Sequence, residues 1–338
     1  MSYVWKFFSQ QILKINNMNV LSLFDGMSCG QISLNKLGIK YDNYYASEID
    51  KYAIQVTKHN YPQTKHIGSI TEINSNEFKD IDLLMGGSSC QNFSFAGNRI
   101  GMSTEDNIEI TNLEQYLELK NNGFKFSGES YLFWEYVRVL KEVKPKYFLL
   151  ENVKMVKKWE DVITKAVGVD PIEINSKNIS GQNRPRLYWT NIPNITQPEY
   201  KDITIKDIVE DSVDEKYYMK YNYNDYKNRL SSIDSNDLDS SSCIQIAELE
   251  MKAIESIKRV YSTNGKSPCL TTSQGGHRQA KILETSSGRV RKLTPLEYER
   301  LQTVPDNYTS ILSNAQRYKV LGNGWTVDVI AHIFKGLK

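Results

Sequence analysis

The feature that most constrains the fold is a pattern repeated along residues 19–153. Short apolar runs each end in polar or acidic residues and alternate with segments that have helical spacing. The first unit, residues 19–38 (NVLSLFDGMSCGQISLNKLG), is a strand-like run, a turn at Asp25 and Gly26, and a helix. Strands that alternate with helices in this way predict a doubly wound, mostly parallel sheet of the α/β class.

Further apolar runs predict the other strands of this sheet. They lie at residues 41–50, 64–70, 80–87 and 146–153, and a helix is expected at 130–145. In such a sheet, ligands bind outside the carboxyl ends of the strands. We therefore expect Asp25, Glu48, Cys90 and Glu151 at one edge of the sheet.

The chain changes character near residue 194. Residues 194–290 are rich in polar residues and show little periodicity, which predicts a smaller, loop-rich second domain or an insertion. A helix with Thr294 as its N-cap follows, and the chain ends in a glycine turn and an amphipathic helix. We predict a main domain at 1–193 with an N-terminal extension at 1–17, a second region at 194–290, and a C-terminal segment at 291–338.

The charge balance and the spacing of the cysteines limit which partners and bound groups the sequence predicts. The 42 basic and 40 acidic residues leave a net charge of +2, so a polyanionic partner requires basic residues gathered on one face. The four cysteines, Cys29, Cys90, Cys243 and Cys269, form no CxxC pair, and neither a metal site nor a disulfide scaffold is predicted.

The first 17 residues are only mildly apolar, and polar residues interrupt them. We interpret them as an additional helix rather than a signal peptide. The sequence contains no run of about 18 apolar residues, so no membrane span is expected. These observations favour a cytoplasmic protein.

Glu48 strengthens an otherwise weak signal at the first turn. The turn at Asp25 and Gly26 lacks a full GxGxxG, and a turn that merely packs helix on strand is the alternative. Glu48 ends the second strand about twenty residues later, where an acid accepts hydrogen bonds from ribose hydroxyls. The pair predicts a cofactor that contains a nucleoside, without specifying which.

Cys90 is a candidate nucleophile in the stretch MGGSSCQNFSF. Most isolated cysteines are small buried hydrophobic residues. This one follows a strand and precedes polar residues, where free backbone amides would favour the reactive thiolate.

Glu151 and Asn152 end the strand KYFLLENV at the same edge. They are either a solvated strand end or a proton donor and its neighbour in a partly dry pocket. Arg184 and Arg186 lie two residues apart in an extended segment, so both side chains should point the same way, toward substrate or toward solvent.

The motifs LFDGMSCG, SEID, GGSSCQNFSFAG, LFWEYVRVL, LLENV, QNRPRLYW and LGNGWTVDVIAHIF occur in this order. In this order they closely resemble the DNA (cytosine-5)-methyltransferases of bacteria and phages, with similarity to the animal de novo enzymes. The resemblance covers residues 18–193 and 289–338. It implies a Rossmann-like S-adenosylmethionine-dependent methyltransferase fold with a smaller target-recognition domain.

The resemblance also implies a cofactor site for S-adenosylmethionine. Its residues would be Phe24, Asp25, Gly26, Glu48, Ile49, Ser69, Ile70, Asn323, Gly324 and Trp325. Phe24 and Ile49 would cover the adenine, and Glu48 would hold the ribose. Ser69 stands where the family often has aspartate, so the usual carboxylate contact to the adenine amino group is missing.

The implied reaction assigns roles to the remaining motif residues. Cys90 would add to carbon 6 of a flipped-out cytosine while Glu151 protonates ring nitrogen 3. Arg186 and Arg184 would bind the base carbonyl, and Asn152 would orient the acid. The DNA contacts would come from Gln91, Ser94, Arg99, Gln274, His277 and Arg278. A hairpin that packs on the main domain is the alternative for the last three.

One departure from the family pattern, and one branch of the family, leave alternatives open. Ser89 replaces the proline that usually precedes the nucleophile, which favours a DNA-binding relative with weakened catalysis as a second hypothesis. One branch of the family modifies tRNA, which makes RNA a third. Residues 103–128 are longer than the family's usual link and are expected to carry a small helix. A cognate restriction endonuclease is a further expected partner.

Overall fold

The structure is a computed structural model that describes residues 17–89, 102–225, 239–273, 277–284 and 287–337. The strands are β1 Met18–Leu23, β2 Tyr41–Ser47, β3 Lys65–His66, β4 Leu83–Gly87, β5 Tyr147–Val153, β6 Ile172–Asn175, β7 Pro185–Thr190, β8 Tyr223–Asp225, β9 Gln245–Leu249, β10 Arg259–Tyr261, β11 Lys281–Glu284 and β12 Arg289–Lys292. The α-helices are α1 Cys29–Lys36, α2 Lys51–Asn60, α3 Leu113–Asn121, α4 Phe133–Val143, α5 Lys157–Val167, α6 Glu255–Lys258, α7 Pro295–Leu301, α8 Asn314–Asn323 and α9 Val327–Phe334.

The larger sheet has seven strands in the order β3-β2-β1-β4-β5-β7-β6. Its pairs are parallel except where β7 lies antiparallel to β5 and β6. The strand order reverses between β1 and β4, which makes the carboxyl ends of these two strands the switch point where ligands bind in such sheets. The predicted α/β class and mostly parallel sheet are confirmed.

The smaller sheet has five strands in the order β12-β11-β10-β9-β8. Only the β10–β11 pair is parallel. The residues between 191 and 222 contain short 3-10 turns and no α-helix or strand. The exact domain boundaries stay predictions.

The C-terminal helix completes the larger sheet. Val329, Ile330 and Ile333 of α9 are buried in one hydrophobic cluster with Val20 of β1, so α9 lies beside the first strand. The Ser33 hydroxyl of α1 donates to the Val327 carbonyl at 3.0 Å and ties the two helices together. The last segment of the chain is thereby part of the main domain's core.

Two predicted helical features are also found. Thr294 caps α7 with a capping box and Pro295 in its first turn. The long link at residues 103–128 contains α3, whose Tyr116 donates to Glu135 of α4 at 2.5 Å. Within the described part of the chain, no helix has the length and apolar character needed to span a bilayer.

Candidate active site

The turn after β1 is held open by backbone geometry and by Glu48. Phe24 and Gly26 have positive φ angles of 55° and 58°. The Gly26 amide donates to Oε2 of Glu48 at 2.8 Å, while Oε1 of Glu48 accepts from the Ile49 and Asp50 amides, both at 2.8 Å. Oε1 therefore has both lone pairs occupied, whereas Oε2 retains one for a further donor such as a ribose hydroxyl.

The surroundings of Glu48 fit a nucleoside. A Cβ at Gly26 would meet nothing within 4 Å, so a ligand can approach this backbone closely. Ile49 is 72% exposed, and Phe24 is half-buried and packs against a core cluster that includes Leu23. An exposed apolar side chain and a half-buried aromatic ring near an acid provide the apolar surface and the polar anchor that a nucleoside requires.

Three predicted cofactor residues have a different environment from the one expected. Asp25 is buried and accepts hydrogen bonds from the Tyr44 hydroxyl at 2.7 Å and from Ser28, so its carboxyl shapes the turn from inside. Burial raises the pKa of Asp25 to about 6. Ile70 is 5% exposed in the core, so its side chain packs instead of lining an open site. Ser69 caps the short helix Ile70–Glu72 by accepting from the Thr71 amide.

The carboxylate of Glu151, at the carboxyl end of β5, contacts two side chains, one through each oxygen. Its Oε1 lies 3.0 Å from Nε of Arg186 on β7, and its Oε2 accepts from the Trp325 indole at 3.1 Å. Gly87 at the end of β4 makes this possible, because a Cβ there would lie 2.9 Å from both Oε2 of Glu151 and Nε1 of Trp325. The carboxyl group is thus fixed in position and largely removed from water.

Asn152 connects Glu151's strand to the segment that leads to Cys90. Its amide nitrogen donates to the Ser88 hydroxyl at 3.1 Å and to the Ser88 carbonyl at 3.4 Å. Ser89 is the last described residue of this segment. The predicted nucleophile and three predicted DNA contacts lie outside the described residues; they are Cys90, Gln91, Ser94 and Arg99.

Arg184 corrects the expectation that both arginines face the substrate. Its guanidinium donates to the carbonyls of Leu270 at 3.1 Å, Gly322 at 3.2 Å and Gly324 at 2.9 Å, and the residue is buried. These carbonyls lie in two segments distant in sequence, and both accept from its guanidinium. Arg186 alone reaches the acid.

The remaining predicted site residues differ in how far they are exposed to solvent. Asn323 is exposed at the end of α8, whereas Gly324 is buried against Met27 and Cys29. Arg278 is exposed, and the ring of His277 contacts Tyr221 edge to face. Burial, with the nearby Lys292 and Lys281, lowers the pKa of His277. Gln274 lies outside the described residues.

Two contacts of the site were not predicted. Trp325 was expected to contact the cofactor but not the acid, and Cys269 was assigned no role. Cys269 lies 3.6 Å from Arg184 and 3.7 Å from Arg186, sulfur to nitrogen. No spacing rule brings residue 269 beside residue 186, because the second sheet's path decides that contact. In the described residues no group of three or more metal-ligating side chains occurs.

The fold and the site together define a doubly wound α/β protein. One edge of its larger sheet has a turn that fits a nucleoside and a buried glutamate near that turn. Residues 18–169 and 172–338 match the family described as C-5 cytosine-specific DNA methylase. The chain belongs to this family.

Named relatives agree with this assignment. An orphan methyltransferase of Bacillus phage SPbeta is 28% identical, with 96% of this chain and 98% of the relative aligned. A type II methyltransferase of Lactococcus lactis is 26% identical over 94% of this chain and 77% of its own length. The S. pombe Dnmt2 methyltransferase structure shares the fold, with a TM-score of 0.64 and 18% identity over 95% of this chain and 99% of that chain.

Proposed function

We propose that this protein methylates carbon 5 of cytosine in a specific sequence of duplex DNA, with S-adenosylmethionine as the methyl donor. The observation that carries this proposal is the grip of Arg186 and Trp325 on Glu151 at the carboxyl end of β5. Strand β5, which carries Glu151, lies two strands away in the sheet from β1 and the turn that fits a nucleoside. The family's DNA substrate supports duplex DNA as the acceptor.

The cofactor site would use the turn after β1. Gly26 would leave room for the methionine part of S-adenosylmethionine. Glu48 would accept hydrogen bonds from the ribose hydroxyls, and Phe24 and Ile49 would flank the adenine. S-adenosylmethionine bound there would supply an electrophilic methyl group. Trp325 would lie between this site and Glu151, since its indole contacts the acid directly.

The chain's own residues would activate the base. The Cys90 thiolate would add to carbon 6 of a cytosine flipped out of the duplex, at a cost of about a few kcal/mol for unstacking. Glu151 would hydrogen-bond to and protonate ring nitrogen 3, which gives carbon 5 enamine character. Carbon 5 would take up the methyl group and then lose its proton, and the electron pair of that carbon–hydrogen bond would expel the thiolate. Arg186 would hold the acid, and Arg184 would brace the C-terminal segment from behind.

The DNA would lie against the second sheet and the segment after Cys90. His277 and the exposed Arg278 would face it, together with Gln274, Gln91, Ser94 and Arg99. We further propose the cytoplasm of a bacterium, or of a phage-infected cell, as the place of action. A cognate restriction endonuclease is a proposed partner, and the orphan and type II names of the relatives allow for both arrangements.

Methyl transfer from tritiated S-adenosylmethionine tests this proposal. Duplex DNAs of varied sequence and a tRNA pool are offered as competing acceptors, and label is assayed as 5-methylcytosine. We expect label in the duplex DNA, and a loss of at least about a hundredfold in Glu151→Gln, which removes the proton donor. Asp328→Asn, which changes a carboxylate on the surface of α9, should be indistinguishable from wild type.

Two results would contradict the proposal. Label that enters tRNA in preference to DNA would make the protein an RNA methyltransferase. Duplex binding without label in any DNA would favour the weakened relative that Ser89 suggests. The intact Asn152–Ser88 and Glu151–Arg186 contacts support an active enzyme instead.

A further inference from the structure

Cys269 is part of a chain of contacts that ends at the proposed proton donor. Its sulfur lies 3.6 Å from a terminal nitrogen of Arg184 and 3.7 Å from one of Arg186. Through Nε, the same guanidinium of Arg186 pairs with Glu151 at 3.0 Å. The sulfur and the carboxylate therefore contact different nitrogens of one guanidinium.

Arg184 provides a rigid support for this sulfur. Its other donors are taken by the carbonyls of Leu270, Gly322 and Gly324, so its guanidinium is fixed. Arg186 has fewer anchors, namely Glu151, the carbonyl of Pro185 at 2.8 Å, and the sulfur. Removing the sulfur would leave a donor of Arg186 unsatisfied in a largely buried place and free its guanidinium to rotate.

We propose that Cys269 is a positioning residue, whose sulfur bridges Arg184 and Arg186 and thereby holds the Arg186 guanidinium against Glu151. The inference rests on the proposed function, because it gives Glu151 a task in the reaction. It also connects the second region of the chain to the acid, since residue 269 precedes β11 of the smaller sheet.

The charge environment agrees with the bridging geometry. Burial opposes ionisation of the Cys269 thiol, but the positive charges and hydrogen bonds of Arg184 and Arg186 outweigh it and lower its pKa below 9.0. The anion in turn helps to raise the pKa of Arg186. When protonated, the thiol can instead donate to the Leu270 carbonyl at 3.6 Å.

The other described cysteines differ and provide a matched control. Burial raises the pKa of Cys29 to about 12. Cys243 is partly buried against an apolar cluster, and burial also raises its pKa. Cys243 and Cys269 are both partly buried, and the side chains that affect the Cys243 thiol are Asn183, Cys269 and Lys177 rather than the arginine pair, so Cys243→Ala removes a comparable thiol without removing a partner of either arginine.

The first arm of the test measures the bridge without any reaction. Thiolate absorbance is followed against pH in wild type, Cys269→Ala and Arg186→Gln. Besides any ionisation of Cys90, which all three proteins share, we expect one ionisation below 9.0 in wild type that is missing from Cys269→Ala and moves to higher pH in Arg186→Gln. Curves that coincide in wild type and Cys269→Ala below this pH would overturn the bridge.

The second arm measures positioning through methyl transfer. In Cys269→Ala we expect kcat to fall about tenfold while KM for S-adenosylmethionine changes less than about twofold, since a charge-assisted hydrogen bond is lost away from the cofactor turn. Cys269→Ser, which retains a weaker acceptor, should recover part of the loss. Cys243→Ala should match wild type in methyl transfer, and melting curves should show that every variant is folded at the assay temperature.

An unchanged kcat in Cys269→Ala would overturn the positioning role, as would equal losses in Cys269→Ala and Cys243→Ala. A wild-type protein that methylates no DNA would contradict the proposed function instead. In that case the thiolate titration alone decides whether Cys269 bridges the arginines, so the two failures are distinguishable.

Discussion

At the scale of single residues, the site depends on close approaches that a side chain would prevent. Gly87, the last residue of β4, packs directly against Glu151 and Trp325. An added Cβ would lie 2.9 Å from an atom of each of these two side chains. Such a distance is shorter than van der Waals contact, so one partner would have to move. The sequence MGGSSC shows two glycines before Cys90, and the structure gives the second of them this reason.

Gly87→Ala should therefore separate Glu151 from Trp325. We expect methyl transfer to fall by at least about tenfold, with a loss in the free energy of unfolding of about 1 to 3 kcal/mol from overpacking. Kinetics on duplex DNA and urea denaturation measure the two effects.

Gly123→Ala is the matched control for this change. Gly123 follows α3 with a φ of 77°, and a Cβ there would meet nothing within 4 Å. Its substitution should lower stability by about 1 kcal/mol through backbone strain and leave methyl transfer intact. Equal activity losses in both variants would show that stability, and not the position of Glu151, sets the rate.

The residue scale also shows what a sequence can and cannot predict. Glu48 and Glu151 were predicted at the sheet edge because strand ends and their polar residues are local features. The burial of Arg184 was not predicted, because its partners Leu270 and Gly324 are far away in sequence. Contacts that depend on how distant segments meet leave no periodic signal.

At the scale of elements, the inserted helix α3 is joined to α4 through one buried carboxylate. Glu135 is fully buried and receives hydrogen bonds from Tyr116 at 2.5 Å, Lys120 at 2.5 Å and Arg138 at 2.7 Å. The helix itself was predicted from the length of the link. Its docking partner was not, because a glutamate in an amphipathic helix is normally expected on the solvated face.

Glu135→Gln should detach this helix in part. Burial alone would raise the pKa of Glu135, but the hydrogen bonds from Lys120, Tyr116 and Arg138 lower it. Because the folded pKa is lowered, the stabilisation is complete above the unfolded value of 4.5 and is lost as pH falls through the folded pKa. At pH 7 we expect a loss of about 2 to 4 kcal/mol in the free energy of unfolding, measured with urea.

Glu142→Gln serves as the control on the same helix. Glu142 pairs with Arg138 at 2.8 Å, but its side chain is 40% exposed. A solvent-exposed pair of this kind contributes less than about 1 kcal/mol. If Glu142→Gln destabilised the protein as much as Glu135→Gln, the buried network would not be what fixes α3.

At the scale of the whole molecule, four segments meet at one sheet edge. β4 and β5 supply Gly87 and Glu151, β7 supplies Arg186, and the segment before α9 supplies Trp325. The alternation of strand-like and helical segments predicted the mostly parallel sheet. The path of residues 239–292, which brings Cys269 to the arginines, could not be predicted from their irregular sequence.

The central claim is that Cys90 attacks a cytosine in duplex DNA while Glu151 assists. Replacing cytosine by 5-fluorocytosine blocks the last step, because fluorine cannot leave as the proton does, so the covalent adduct accumulates. With S-adenosylmethionine present, we predict a denaturation-resistant complex between the protein and fluorinated duplex DNA. It should be absent in Cys90→Ser and slower to form in Glu151→Gln. A complex that persists in Cys90→Ser, or none with any DNA that wild type methylates, would contradict the account.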